Sequence, residues 1–248
     1  MSETLSIKAT ALHDNMPLSI KATALHDNAP LSIKIRSDDK ISIVGYSGAG
    51  KTLLLEYFIN NVVNQFPNLV VVDPVSRFSQ KTNIRYRGKV ECLHPSPNKI
   101  CMKLQSEEDL EEVCKTINDI DTEPAFLIVD EIDRFVDVHS MLSETSMFFQ
   151  QGRNYQHGGM FTVRQVGKLN KEVFSNSHYL ILFKVYNKSD IEYLTDVLPL
   201  KFVRMIPQLS EHSFFLIDLR MSKLLGEYIY LPEKDTLKLV KTWEEENR

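Results

Sequence analysis

Two kinds of segment alternate along the chain. Short segments rich in β-branched residues predict strands at 40–44, 69–72 and 125–129. The first alternates polar and apolar residues, whereas the other two are continuous apolar runs that predict buried strands. Longer mixed stretches between and after them predict helices, which we place at Leu53–Phe66, Gln105–Ile120 and Leu142–Gln156. Strands that alternate with helices indicate an α/β domain with a mostly parallel central sheet and helices on both of its faces.

The C-terminal part of the chain shows a different pattern. Two apolar segments, Ser213–Leu219 and Tyr228–Leu231, predict a C-terminal β-hairpin that turns around Gly226. The tail, Thr236–Arg248, predicts a short amphipathic helix with Trp243 as its aromatic anchor.

The N-terminus carries a tandem duplication. Residues 5–17 have the sequence LSIKATALHDNMP, residues 18–30 have LSIKATALHDNAP, and LSIK begins again at 31–34. Solenoid repeats are longer and need at least three units, so we interpret this stretch as an added arm. The expected organisation is an arm over residues 1–36 and one larger domain over 37–248. Two short strands and a flexible arm remain alternatives for the duplicated stretch.

A phosphate-binding loop follows the first predicted strand of the domain. The sequence GYSGAGKT at 45–52 matches the pattern GxxxxGK[ST], with a strand before it and a helix after it. The glycines let backbone N–H groups turn toward phosphates, Lys51 would reach the β- and γ-phosphates, and the Thr52 hydroxyl would bind Mg²⁺. The predicted nucleotide-binding residues are Gly45, Tyr46, Ser47, Gly48, Ala49, Gly50, Lys51 and Thr52.

Two acids end the apolar run at 125–129. Acids at the carboxyl end of a parallel strand face the crevice in which ligands bind. Asp130 would therefore hold the Mg²⁺ ion, and Glu131 would act as the general base on the attacking water. The alternative is a strand that merely ends in a charged turn. Asp73, which ends the run at 69–72, either faces the same crevice or caps its own turn.

Composition narrows the class of protein. The 248 residues are 43% hydrophobic and 25% charged, which is typical of a soluble globular domain and excludes a disordered or disulfide-rich chain. No apolar run approaches the length of a spanning helix, so we expect no integral membrane segment. The cysteines, Cys92, Cys101 and Cys114, are sparse and odd in number, which is typical of a reduced cytosolic protein.

The net charge of −4 argues against a protein that is basic all over, but one local stripe is basic. Residues 77–89, RFSQKTNIRYRGK, contain five basic residues and no acid. Lys81, Arg85 and Arg87 are the predicted DNA contacts, which would bind phosphates without reading sequence. The alternative is a solvated hairpin face.

Four motifs in this order resemble the FtsK–HerA superfamily of ring-forming, DNA-pumping ATPases. They are GYSGAGKT at 45–52, VVVDP at 70–74, FLIVDEID at 126–133, and the stretch at 152–165 that leads into LNKEVFSNSHYLILFKV at 169–185. The likeness covers about residues 40–220 and implies a RecA/ASCE-like P-loop NTPase fold. The small size resembles the genome-packaging ATPases of tailless icosahedral viruses with an internal membrane.

The resemblance also implies roles for three further residues. Gln165 resembles the polar sensor beside the γ-phosphate, and Arg153 resembles the arginine finger that a neighbouring subunit inserts. Relatives commonly have Thr-Gln-Arg-Pro where this chain has Val163-Arg164-Gln165-Val166, so Arg164 is a rival for the finger. A surface location for both arginines is the remaining alternative.

The function that the resemblance implies is an ATP- and Mg²⁺-dependent motor. A homo-oligomeric ring, which the same resemblance implies to be a hexamer, would move double-stranded DNA through its pore into a preformed viral capsid. Capsid proteins would be further partners, and the host cytoplasm or the virion would be the location. The rivals are a cellular or plasmid DNA-processing ATPase, a filamentous-phage-type assembly ATPase, and a nucleotide-gated binding protein with little turnover.

Overall fold

The computed structural model describes residues 18–24, 30–61, 66–76, 78, 85–86, 99–120 and 123–242. Its strands are β1 Leu18–Ala24, β2 Pro30–Ile35, β3 Lys40–Val44, β4 Asn68–Val72, β5 Arg85–Tyr86, β6 Lys99–Met102, β7 Ala125–Val129, β8 Gly158–Val163, β9 Tyr179–Phe183, β10 Ser213–Asp218, β11 Lys223–Leu231 and β12 Thr236–Thr242. Its α-helices are α1 Lys51–Asn61, α2 Glu107–Asn118, α3 Ser143–Gln151, α4 Lys171–Ser175, α5 Lys188–Val197 and α6 Leu200–Met205.

All of these strands join one 12-stranded sheet in the order β2-β1-β12-β11-β10-β9-β3-β8-β7-β4-β6-β5. The run from β9 to β5 is parallel throughout. The strands of its centre, β3, β4, β7 and β8, are buried along their whole length, as expected for strands that are covered on both faces. The α/β fold class, with its mostly parallel sheet, is confirmed.

Side chains of the central strands divide between two hydrophobic cores, one on each face of the sheet. In β7, Leu127 and Val129 belong to the core that also contains residues of α2, α3 and α6. Phe126 and Ile128 belong to the other core, which contains the buried residues of α1. Successive strand residues point to opposite faces, so a continuously apolar run is what helices on both faces require.

The C-terminal strands form an antiparallel meander beside β9. β10 and β11 pair as the predicted hairpin, and β12 pairs with β11. Gly226 lies inside β11, opposite Leu216, and not in the turn. A Cβ at Gly226 would lie 2.9 Å from Leu239 Cδ1, so close packing rather than turn geometry suits glycine here.

The prediction of a helix over Thr236–Arg248 is wrong for its described part, because residues 236–242 form β12. Leu237 and Leu239 are buried while Lys238 between them is not, which is the two-residue period of a strand. Without β12, one edge of β11 would be unpaired, and pairing with it gives residues 236–242 the backbone partners that stabilise them as a strand. A short isolated helix has no such support. Trp243 lies outside the described residues.

Parts of the duplicated stretch enter the sheet as strands. β1 and β2 pair antiparallel, with Ile20 opposite Ile33, and β1 runs parallel to β12. The first copy, at 5–17, lies outside the described residues. The division into an arm and a domain at residue 36 stays a prediction.

The helices are short relative to a bilayer. Within the described parts of the chain, no helix combines the length and the apolar character needed to span a membrane.

Candidate functional site

The turn between β3 and α1 is shaped by glycine. Gly48 and Gly50 have φ angles of 93° and 103°, a region that residues with a Cβ rarely enter. Gly45 is needed for a different reason, because a Cβ there would lie 2.6 Å from Phe183 Cβ on the neighbouring strand β9. The turn therefore has the conformation that the sequence motif predicts.

Lys51 is the first residue of α1 and lies almost fully buried under the turn. Its Nζ atom donates hydrogen bonds to the carbonyl oxygens of Gly45, at 2.7 Å, and Tyr46, at 3.0 Å. The ammonium group is thus held at the mouth of the loop, at the carboxyl end of β3.

The acids that follow β7 face this lysine. Burial lowers the pKa of Lys51, and the charges of Asp130, Asp133 and Glu131 each act in the opposite direction. Because β3, β8 and β7 are adjacent and parallel, their carboxyl ends meet at one edge of the sheet. The predicted loop and the predicted acids therefore lie together.

Thr162, in β8, connects the two acids. Its hydroxyl donates a 2.6 Å hydrogen bond to Asp130 Oδ1 and accepts one of 2.8 Å from the backbone N–H of Glu131. Thr162 is fully buried and Asp130 is 2% exposed. The sequence interpretation missed Thr162; its signal is a single hydroxyl in an otherwise apolar strand.

Glu131 has an unusual backbone and a charged surrounding. Its φ angle is 57°, which is uncommon for a residue other than glycine. Its carboxylate pairs with Arg134, and its other oxygen lies 3.8 Å from Arg164 Nε. Arg164 also contacts Asp133, with Nε 3.5 Å from its Oδ2 and the backbone N–H donating to its Oδ1. Arg164 therefore belongs to the same protomer's site.

Gln165 and Arg164 follow the carboxyl end of β8 and are exposed. They line a cavity of about 650 Å³ with Tyr46 and Ser47 of the glycine-rich turn. Residues that follow β9, including Tyr186, also line it. The predicted sensor is thus adjacent to the loop.

Arg153 lies near the amino ends of β3 and β8, opposite to the carboxyl ends where the glycine-rich turn lies. It belongs to a 3-10 turn before β8, and its Nε atom is 3.5 Å from Oδ2 of Asp38, which precedes β3. Its side chain is 62% exposed, so a second molecule has access to it. The structure does not bring Arg153 to the loop of its own chain.

Asp73 caps its own turn. Its carboxylate accepts hydrogen bonds from the backbone N–H groups of Val75, at 3.3 Å, and Phe78, at 2.7 Å, and Asp73 is fully buried. Of the two alternatives left open for Asp73, the described contacts favour the cap.

The predicted DNA contacts fall largely outside the described residues. Lys81 and Arg87 lie outside them, and Arg85 is described only by its place in the short strand β5. Their role stays a prediction.

His212 is a second residue that the sequence interpretation missed. A Cβ at Gly50 would lie only 2.8 Å from His212 Nδ1, so the imidazole lies against the glycine-rich turn. That buried nitrogen has no hydrogen-bond partner among the described residues. His212 lies about 160 residues away in sequence, and no local pattern marks it.

The sequence matches a family model described as an AAA domain over residues 35–163. The match spans β3, the glycine-rich turn, the acids and β8. The chain belongs to the AAA domain family. No curated protein matches it.

Two solved structures show the same fold as this AAA domain. One is the genome packaging NTPase B204 from Sulfolobus turreted icosahedral virus 2, with a TM-score of 0.68, 14% identity, and coverage of 76% of this chain and 96% of B204. The other is VirB4 of Thermoanaerobacter pseudethanolicus, with a TM-score of 0.56, 11% identity, and coverage of 96% of this chain and 99% of VirB4. The expected P-loop NTPase fold is confirmed.

Proposed function

We propose that this AAA domain hydrolyses ATP with Mg²⁺ in a homo-oligomeric ring and thereby moves double-stranded DNA. The specific task that we propose is the packaging of a viral genome into a preformed capsid. The observation that carries the proposal is the meeting of Lys51 with the acids after β7 at one edge of the parallel sheet. Capsid proteins are then partners, and the host cytoplasm or the virion is the location.

Nucleotide binding is assigned to the glycine-rich turn. Backbone N–H groups of residues 45–50 would cradle the phosphates, and α1 would direct the positive end of its dipole at them. Lys51 would exchange its two backbone carbonyl partners for phosphate oxygens. The Thr52 hydroxyl and the Asp130 carboxylate are oxygen ligands of the type that Mg²⁺ prefers, and they would hold that ion.

Hydrolysis is assigned to Glu131 as the general base, with Gln165 as the sensor of the γ-phosphate. Thr162 fixes the backbone of Glu131, so the carboxylate starts from a defined position. Two residues at opposite ends of β8, Arg153 and Arg164, are candidates for the arginine finger. Arg153 would act on the neighbour's nucleotide, whereas Arg164 already contacts its own acids.

B204 is a genome packaging NTPase, and its likeness to this chain supports the packaging assignment by analogy of fold. A ring would bring several copies of the same basic side chains to one pore, so a strong field can arise although each subunit carries a net charge of −4. Lys81, Arg85 and Arg87 remain the proposed pore contacts.

The test measures the ATPase rate with and without duplex DNA, together with the mass of the oligomer. The proposal expects turnover that depends on Mg²⁺, rises with DNA and is absent in Lys51→Ala. A nucleotide-gated binding protein would bind ATP with negligible turnover in either condition. Turnover without any response to DNA would leave an ATPase but remove the translocation assignment.

A further inference from the structure

The cavity beside the glycine-rich turn is lined partly by residues to which the nucleotide site gives no role. It opens between the segments that follow β8 and β9, and it is about 650 Å³ in volume. Its lining includes Tyr46 and Ser47 from the turn, Arg164 and Lys168 from the segment after β8, and Tyr186 and Asn187 from the segment after β9. It therefore joins the turn directly to exposed loops.

The exposed charged side chains of the lining are cationic. Arg164 and Lys168 are exposed, and among the described residues no acid lies within salt-bridge distance of Lys168. Asp190 is the acid that lines the cavity, but it is 5% exposed and its Oδ1 accepts a 2.9 Å hydrogen bond from the N–H of Gly167. Asp190 thus fixes the turn that carries Lys168, and leaves the cavity open to an anion.

Two of the lining residues form an aromatic pair. The rings of Tyr46 and Tyr186 are 5.0 Å apart at an angle of 56°, and Tyr186 is 65% exposed. Lys184 Nζ lies 5.5 Å from the Tyr186 ring and adds positive charge nearby. Exposed Tyr hydroxyls and cationic side chains are the groups with which proteins bind the nucleic-acid backbone.

Arg164 links this cavity to the acids. The same guanidinium that lines the cavity lies 3.8 Å from a carboxylate oxygen of Glu131 and 3.5 Å from one of Asp133. A phosphate on the cavity side competes for that guanidinium, because arginine forms bidentate, charge-assisted hydrogen bonds with phosphate as well as with carboxylate, and the present contacts, at 3.5–3.8 Å, are longer than such bonds.

We propose that this cavity binds backbone phosphates of duplex DNA through Arg164, Lys168 and Tyr186, and that this contact draws Arg164 away from Glu131. The inference rests on the proposed function and adds a DNA contact within the described structure, separate from the stripe at 77–89. It also gives a physical route by which DNA accelerates hydrolysis, because a carboxylate with one arginine removed is a freer base.

The first experiment measures duplex binding against salt concentration for the wild type, Lys168→Gln and Tyr186→Phe. Removal of one phosphate contact reduces the steepness of log affinity against log salt by about 0.9. Lys168→Gln should therefore show a flatter slope and weaker binding, and Tyr186→Phe weaker binding with an unchanged slope. Lys188→Gln is the matched control, since Lys188 is 89% exposed on the adjacent α5 and pairs with Glu192.

The second experiment measures the ratio of DNA-stimulated to basal ATPase rate in Arg164→Gln. Because Glu131 is then released from Arg164 without DNA, the basal rate should rise toward the DNA-stimulated rate of the wild type, and the ratio should be near one at saturating DNA. A merely structural role would lower both rates and leave their ratio unchanged, which would overturn the link between the cavity and Glu131.

The outcomes also separate this inference from the function on which it rests. If the wild type neither binds duplex DNA nor responds to it, both fail. If the wild type binds DNA, and Lys168→Gln and Lys188→Gln show the same slope of log affinity against log salt, this inference fails while the proposed function stands. If Lys168→Gln loses affinity for ATP while its DNA slope is unchanged, the cavity belongs to the nucleotide and the inference is overturned.

Discussion

Replacing Thr162 by valine is the most direct test of how the site is held together. Valine has nearly the same shape, so the substitution removes the hydroxyl and little else. The hydroxyl donates to Asp130 at 2.6 Å and accepts from the N–H of Glu131 at 2.8 Å, and both bonds disappear together.

The expected magnitude follows from the two bonds. A hydrogen bond to a charged group contributes about 1.5–3 kcal/mol, and an N–H group left without a partner costs about 1–3 kcal/mol when it is buried. The N–H of Glu131 is only partly buried, so we expect the free energy of unfolding to fall by about 2–4 kcal/mol. A tenfold loss of turnover requires only about 1.4 kcal/mol in the barrier, so we expect at least that loss in kcat.

The assay compares kcat, the Kd for ATP and the urea midpoint of Thr162→Val with those of Thr162→Ser. Serine keeps the hydroxyl and should restore most of kcat, although it removes a methyl group from a fully buried position. Valine with wild-type kcat would refute the role of Thr162 in positioning the acids. Serine as slow as valine would refute it too, because the hydroxyl would then not be the group that matters.

Three further predictions concern other parts of the molecule. Lys51→Ala should lose nucleotide binding, whereas Glu131→Gln should bind ATP with stalled turnover; equal turnover in the glutamine variant would remove Glu131 as the base. Mixing Arg153→Ala with Lys51→Ala subunits should restore some activity, since each mutant supplies what the other lacks; no restoration would favour Arg164 or a role within one chain. Burial lowers the pKa of His157 from 6.5 to about 4, so protonation favours the unfolded chain, and the free energy of unfolding should fall as the pH drops from 6.5 toward 4. This residue changes the free energy of unfolding by at most about 1.4 kcal/mol per pH unit. Urea unfolding of His157→Gln should lack that part of the pH dependence.

The sequence predicts the glycine-rich turn and the acids well because each is a local pattern. Backbone N–H groups, glycine φ angles and a following lysine come from adjacent residues, so GYSGAGKT carries its own geometry. Asp130 and Glu131 follow an apolar run, and the parallel sheet that the pattern implies then brings them to the same edge.

Residues that depend on strand pairing are harder to predict. Thr162 reaches the acids after β7 through the register of β8, and His212 lies against Gly50 because a distant turn approaches it. Nothing in their immediate sequence encodes either neighbour. The mistaken C-terminal helix has a related cause: a seven-residue segment takes its structure from the strand edge beside it, here that of β11.

The separation of Arg153 from the glycine-rich turn has a kinetic consequence. The five residues of β3 lie between them, and at about 3.3 Å per residue their ends are roughly 13 Å apart. A guanidinium held beside Asp38 cannot swing that distance to the phosphates of its own subunit. As an arginine finger, Arg153 can therefore act only on the nucleotide of another subunit, so that specific activity should decline on dilution and recover when the subunits are concentrated again.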